Sequence, residues 1–222
     1  MQQCVPVLLE HERSYARQLS GCRSEFARGS RAQGPWVGAR MRQKVTVETL
    51  KRFMQELAGA ARSPGKVYLT GGATALLLGF RQQTIDIDLK LDPEPQGAFE
   101  AIAELKNRLE LNVELASPDD FIPAAADWRE RSRHITTIGR VQFFHYDFAL
   151  QALAKLERGH AHDLEDVKSL VSGGYATASE LKRRFAEIEP GLLRYPAIDS
   201  QQFKKKVDDF LTTLERHDQQ TP

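Results

Sequence analysis

Cysteine is scarce in this 222-residue chain: Cys4 and Cys22 are its two thiols. They suggest neither a disulfide framework nor a zinc site. Long apolar runs are missing as well. No stretch approaches the ~20 residues that a helix needs to cross a bilayer. "CVPVLLE" near the start is too short, and it lacks the basic lead-in of a secretory signal. The expectation is a cytoplasmic chain with no membrane partner. An excess of one charge is also lacking. The net charge is +1, with 41% hydrophobic and 27% charged residues, ordinary values for a globular protein. Such a balance excludes a body built as a basic nucleic-acid grip. RNA would have to be met by local clusters, Arg129, Arg131 and Arg133 or Lys204, Lys205 and Lys206. Those clusters equally fit plain solvated faces. No internal repeat is present.

Residues 1–40 differ from the rest. They hold six Arg, no Lys and three Glu, which leaves the remainder slightly acidic. "GCRSEFARGSRAQGPWVGAR" runs without a clear period, so residues 1–43 are expected to be a disordered or peripheral extension, with a short helix around Leu8 to Leu19. An Arg-rich, acid-poor start imitates an organelle transit peptide. The preferred expectation is a tail outside the fold, with Met41 as an alternative start of translation.

Order is expected from about Thr46. "TVETLKRFMQELAGAA" places Val47, Leu50, Phe53, Met54 and Leu57 on one helical face, with Thr46 as N-cap and Ser63-Pro64-Gly65 as the stop. "KVYL" reads as a buried strand, "ATALLLGF" as a short apolar helix and "TIDIDLKL" as an alternating strand broken by Pro93 and Pro95. "QGAFEAIAELKNRLE" is a helix with Phe99, Ile102, Leu105 and Leu109 as its stripe. "LNVELA" is a third strand, ended by Ser117-Pro118. "HITTIG" and "VQFFHY" fit a hairpin around Gly139-Arg140. From Asp147 onward four helical patterns follow. The layout is an α/β core over 44–146, a small mixed sheet with flanking helices, and then a helical region over 147–222.

The chemistry concentrates in "VYLTGGATALLLGFRQQTIDIDLKL". On a strand, residues i and i+2 share a face. Asp86 and Asp88 therefore project together, while Ile85, Ile87 and Leu89 are expected in the core. Two carboxylates that close repel unless a cation lies between them, and a hard divalent ion such as Mg²⁺, or Mn²⁺ in its place, suits oxygen ligands and substrate phosphates. By itself the pair also fits a solvated strand face. Upstream, strand, Gly71-Gly72 and helix form a turn that can aim backbone N–H groups at an anion, although a tight turn explains the glycines equally well. Metal-assisted nucleotidyl transfer calls for a third carboxylate. Glu114, on the next strand, is the candidate as ligand or general base; it also reads as an exposed strand glutamate. Asp119 and Asp120 read as loop acids.

These residues resemble a known superfamily. "GGATALLLGFRQQTIDID" is similar to the motif of the DNA-polymerase-β-like nucleotidyltransferases, in which a Gly-Gly or Gly-Ser turn precedes an acidic pair. The spelling is closest to a bacterial branch that includes the AbiEii-like toxins. A downstream motif of that branch, a Lys on one helix and an Asp at the start of the next, resembles "ALAKLERGHAHDLEDVKSL". The resemblance spans roughly 44–170. It implies that Gly71 and Gly72 face an NTP's triphosphate and that Asp86 and Asp88 hold Mg²⁺. It implies too that Lys155 contacts phosphate, with Asp163 as the acid of the helical half. Arg81 and Thr84 fall within the first motif, and Arg81 would brace the carboxylates or touch phosphate. The toxins carry Arg just before that Asp, whereas this chain has His162, and Arg158 stands for their other Arg.

On residues alone, Leu164, Val167 and Val171 make the stripe of the second motif, and Asp163 and Asp166 also read as helix-start acids. Lys155 also reads as a surface lysine. His160 and His162 would diverge and do not suggest a metal site. The leading reading is an Mg²⁺-dependent enzyme that moves an NMP from an NTP to a hydroxyl on RNA, protein or a small molecule. Its rivals are a toxin or antitoxin module that binds a cognate protein, and an NTP sensor without turnover.

Overall fold

Helix α1 (Val47–Ala60) begins where Thr46 marks it: the threonine hydroxyl accepts the Thr49 N–H at 3.3 Å. Its buried face is Leu50, Phe53, Met54, Leu57 and Ala58, the i, i+3, i+4, i+7 stripe of an amphipathic helix. The computed structural model describes residues 43–218; the helix expected around Leu8 to Leu19 lies outside them. After α1 come β1 (Gly65–Thr70), α2 (Gly71–Leu77), β2 (Asp86–Leu91), α3 (Ala98–Arg108) and β3 (Asn112–Glu114). A 3₁₀ turn (Pro118–Asp120) and α4 (Trp128–Arg131) lead into β4 (Arg133–Ile138) and β5 (Val141–His145). The helical region is α5 (Phe148–Arg158), α6 (Ala161–Ser172), α7 (Ala178–Ile188), a 3₁₀ segment (Glu189–Arg194) and α8 (Ser200–Asp218).

Among the described residues the strands form one five-stranded sheet in the order β3-β2-β1-β5-β4. It is mixed, as the sequence implies: β1 runs parallel to β5 and β2 to β3, while β1–β2 and β4–β5 are antiparallel. The β4–β5 hairpin turns at Gly139, whose φ of 56° is the kind that tight hairpins demand.

Alternation along the strands gives the sheet two apolar faces. Val67, Leu69, Ile87, Leu89, Val113 and Phe143 pack with α1 and α3 on one face. Tyr68 and Tyr146 belong to a second core with residues of α5, α6, α7 and α8. On β2 and β3, the face opposite Ile87, Leu89 and Val113 carries Asp86, Asp88, Asn112 and Glu114.

Two expectations are corrected. Ile85 is 66% exposed rather than in the core. The strand starts at Asp86, two residues later than expected, because Thr84 is tied to Val45 by paired backbone bonds of 2.8 and 2.9 Å. Phe99 is 38% exposed. The buried stripe of α3 is Ala98, Ala101, Ile102 and Leu105, one position round from the predicted face, and it starts directly at the Gly97 cap with φ 89°.

Candidate active site

Strand register decides which acids meet. Thr70 on β1 pairs with Asp88 on β2, and Asp88 pairs with Glu114 on β3; Asp86 pairs with Asn112 one step along. The predicted neighbourhood of Glu114 is therefore real. Asp86, Asp88 and Glu114 line one solvent-open cleft of about 200 Å³, together with Thr70, Gly71 and residues of α5. The Asn112 side-chain amide donates to Asp86 Oδ1 at 2.5 Å and to Glu114 Oε1 at 2.9 Å. Burial, followed by the charges of Asp86 and Glu114, pushes the Asp88 carboxyl up to about 6, with Arg158 and Lys155 pulling the other way.

The paired glycines have separate reasons. Gly71 has φ 56°, and a Cβ there would stand 2.6 Å from Asp88 Oδ2. Its N–H is taken by Gln151 Oε1 at 3.0 Å. Gly72 backs onto Thr84 instead; a Cβ would meet the Thr84 hydroxyl at 2.0 Å. Neither Gly72 nor Thr84 lines the cleft. Both serve packing, because the loop before β2 must close against the first turn of α2.

Helix α5 forms the opposing wall. Gln151, Ala154, Lys155 and Arg158 line the cleft, the i, i+3, i+4, i+7 spacing of one helix face. Asp147 fixes the start of this helix by accepting the Ala149 and Leu150 N–H groups at 2.8 and 3.1 Å. Gln151 also donates to the Tyr146 carbonyl at 2.7 Å, so one side chain ties α5, β5 and the Gly71 turn. Lys155 is no surface lysine: it is 7% exposed. Its ammonium donates to Asp166 at 2.6 Å and to Asp163 at 3.4 Å. Arg158 holds Asp163 at 2.7 Å, and Arg81 holds Asp166 through Nε at 3.0 Å and a second nitrogen at 2.7 Å. Asp163 and Asp166 thus stand behind Lys155 rather than in the cleft, and Arg81 braces Asp166 rather than the β2 carboxylates. His162, where the toxins have Arg, is exposed and faces Glu165.

Three contributors escaped the sequence reading. Asp166 reads as a helix-start acid, although its place three residues after Asp163 signals a shared face. Gln151 lies four residues before Lys155, and Asn112 lies two before Glu114; both spacings are visible once the elements are fixed. The basic clusters weighed for RNA are largely engaged. Arg131 pairs with Asp147 and Glu180, Arg129 with Asp92, Lys204 with Asp208, and Lys206 donates to the Glu157 carbonyl.

Among the described residues, no three His, Cys, Asp or Glu side chains come together as a group that could hold a metal ion: the Asn112 amide stands between Asp86 and Glu114. The donor set still suits an open Mg²⁺ site, since two adjacent carboxylates leave positions for water and phosphate. Burial first, and then the charges of Asp86 and Glu114, raise the Asp88 carboxyl; a cation between the carboxylates would offset the second of these causes.

No curated protein and no solved structure matches the chain. A model for nucleotidyltransferases of unknown function matches residues 46–212. Joined to a mixed sheet that carries the acidic pair on β2, beside the central strand β1, this places the chain in that family, DUF6036.

Proposed function

We propose that the chain transfers an NMP from an NTP to a hydroxyl acceptor, with Mg²⁺ or Mn²⁺ held by Asp86 and Asp88. The observation that carries this reading is the opposition across one cleft of the Asp86, Asp88 and Glu114 carboxylates and the Lys155 and Arg158 cations. A bound divalent ion would screen the triphosphate and polarise its α-phosphorus.

The chain's own residues supply the rest. Lys155 has three N–H donors, and its two ion pairs leave one for phosphate. Asp163 and Asp166 position that ammonium. Arg158, half-exposed, reaches the outer phosphates. Glu114 is the most exposed of the three carboxylates and takes the proton of the acceptor hydroxyl. The acceptor oxygen then bonds to the α-phosphorus, the bond to the β-phosphate oxygen breaks, and pyrophosphate leaves. The engagement of both basic clusters favours a protein side chain or small molecule over extended RNA as acceptor.

The test is transfer of labelled α-phosphate from each NTP, with Mg²⁺, to RNA, protein or small molecules in a lysate. Asp86→Ala and Asp88→Ala should each lose about 100-fold or more while melting cooperatively. Retained transfer in either variant refutes the assignment. Nucleotide binding without transfer to any acceptor would make the chain a sensor.

A further inference from the structure

The cleft has an apolar side that the chemistry above leaves unused. Ala116, Pro118 and Phe121 line it beyond Glu114. Phe121 is 45% exposed, among the few large hydrophobic side chains left open to solvent among the described residues. Phe121 therefore offers an open aromatic face along a charged cleft, the kind of surface on which a flat ring can stack.

Most polar groups of the turn beside this ring bond within the turn or to the sheet. The Ser117 hydroxyl bonds Asp119 at 2.6 Å and Asp120 at 3.0 Å, and the Ser117 N–H donates to Asp120 at 2.7 Å. The Asp120 N–H goes to the Ser117 carbonyl and the Phe121 N–H to the Pro118 carbonyl, each at 3.0 Å. Pro118 has no N–H to offer. Asp119 is further held by Lys90 at 2.6 Å and by the Tyr146 hydroxyl at 3.2 Å, so the turn is anchored to β2 and to the residue that follows β5. Across the cleft, the Gln151 oxygen accepts from Gly71 and its amide donates to the Tyr146 carbonyl.

We infer that Phe121 is the stacking platform for the base of the incoming nucleotide, and that this subsite reads a base by its flat face rather than by its hydrogen-bonding edge. The inference rests on the NTP reading above, which sets the triphosphate between the carboxylates and Lys155. Selection among NTPs then follows stacking area: purine nucleotides bind more tightly than pyrimidine nucleotides, and the two members of each class bind alike.

Calorimetry tests this with Mg²⁺ complexes of ATP, GTP, CTP and UTP, and with Mg²⁺-tripolyphosphate as a probe that lacks a base. The wild-type chain should favour purines by about 3- to 10-fold. Phe121→Ala should weaken ATP by about 10-fold, the size of one base–aromatic stack, and should leave tripolyphosphate unchanged. Phe121→Trp should restore purine affinity. Nucleotide binding indifferent to Phe121→Ala, or a preference above about 100-fold for one base of either class, overturns the stacking inference and leaves the transferase reading standing. No binding of any NTP or of tripolyphosphate overturns both.

Discussion

Removing Asp166 tests the knot behind the cleft, because this acid joins two helices and a loop. Asp166 and Lys155 are nearly buried and 2.6 Å apart, while Arg81 holds the other carboxylate oxygen and is one-third exposed. In Asp166→Ala the ammonium of Lys155 keeps only Asp163, at 3.4 Å. Breaking a buried pair from one side costs ~3–5 kcal/mol. The lower end applies, since Arg81 can turn to water and Asp163 remains, so the expected loss is about 3 kcal/mol. At ~2–4 °C per kcal/mol for a chain of this size, the melting temperature should fall by about 6–12 °C. The double variant Lys155→Met with Asp166→Leu removes both charges together and should return to within about 1 kcal/mol of wild type, because well-packed apolar replacements of buried pairs are often neutral. It should also be inactive, since no ammonium remains for phosphate. Denaturant melts and label transfer on wild type, the single variants and the double variant complete a cycle. A loss under about 1 kcal/mol in Asp166→Ala, or a double variant as unstable as the summed singles, would refute the buried-pair account.

Gly71→Ala should lose ~1–2 kcal/mol from its left-handed backbone, and transfer should drop by about 100-fold as the new methyl displaces the Asp88 carboxylate; near-normal transfer would mean that Asp88 is not a ligand. Two opposed titrations should flatten the acid side of the stability profile in metal-free buffer. Asp88, raised from 3.8 to about 6, contributes stability below pH 4 that is lost as pH rises through 6. His145, lowered from 6.5 to about 4 by burial beside Thr74, contributes stability above pH 6.5 that is lost as pH falls through 4. At about 1.4 kcal/mol per pH unit each is worth about 3 kcal/mol. Asp88→Asn should therefore exceed wild type at pH 8 and match it in acid, and His145→Asn should become more stable in acid than at neutral pH; parallel pH profiles for both variants and wild type would contradict these assignments.

The elements of the core were legible because local patterns specify them. Thr46 caps α1, an apolar run marks β1, alternation marks β2, and Gly139 closes the hairpin of β4 and β5; each signal acts within a few residues. The acidic pair was legible for the same reason, since a two-residue period puts Asp86 and Asp88 on one face whatever the strand packs against. Ile85 was misread because alternation does not say where a strand begins, and a bond from distant Val45 set that limit.

What the chain's order of residues determined by itself is a mixed sheet, a helical region after it, and two carboxylates side by side behind a glycine turn. Tertiary structure alone decided the rest. Register between β2 and β3 brought Glu114 beside Asp88 and Asn112 beside Asp86. The packing of α5 against the second sheet face carried Gln151 to Gly71 and Lys155 to the cleft. Gly72 lies against Thr84, where an added Cβ would stand 2.0 Å from the threonine hydroxyl, and neither residue lines the cleft. Asp163 and Asp166 went behind the lysine because a buried ammonium needs acids within reach, and only the crossing of α5 and α6 determines which acids those are.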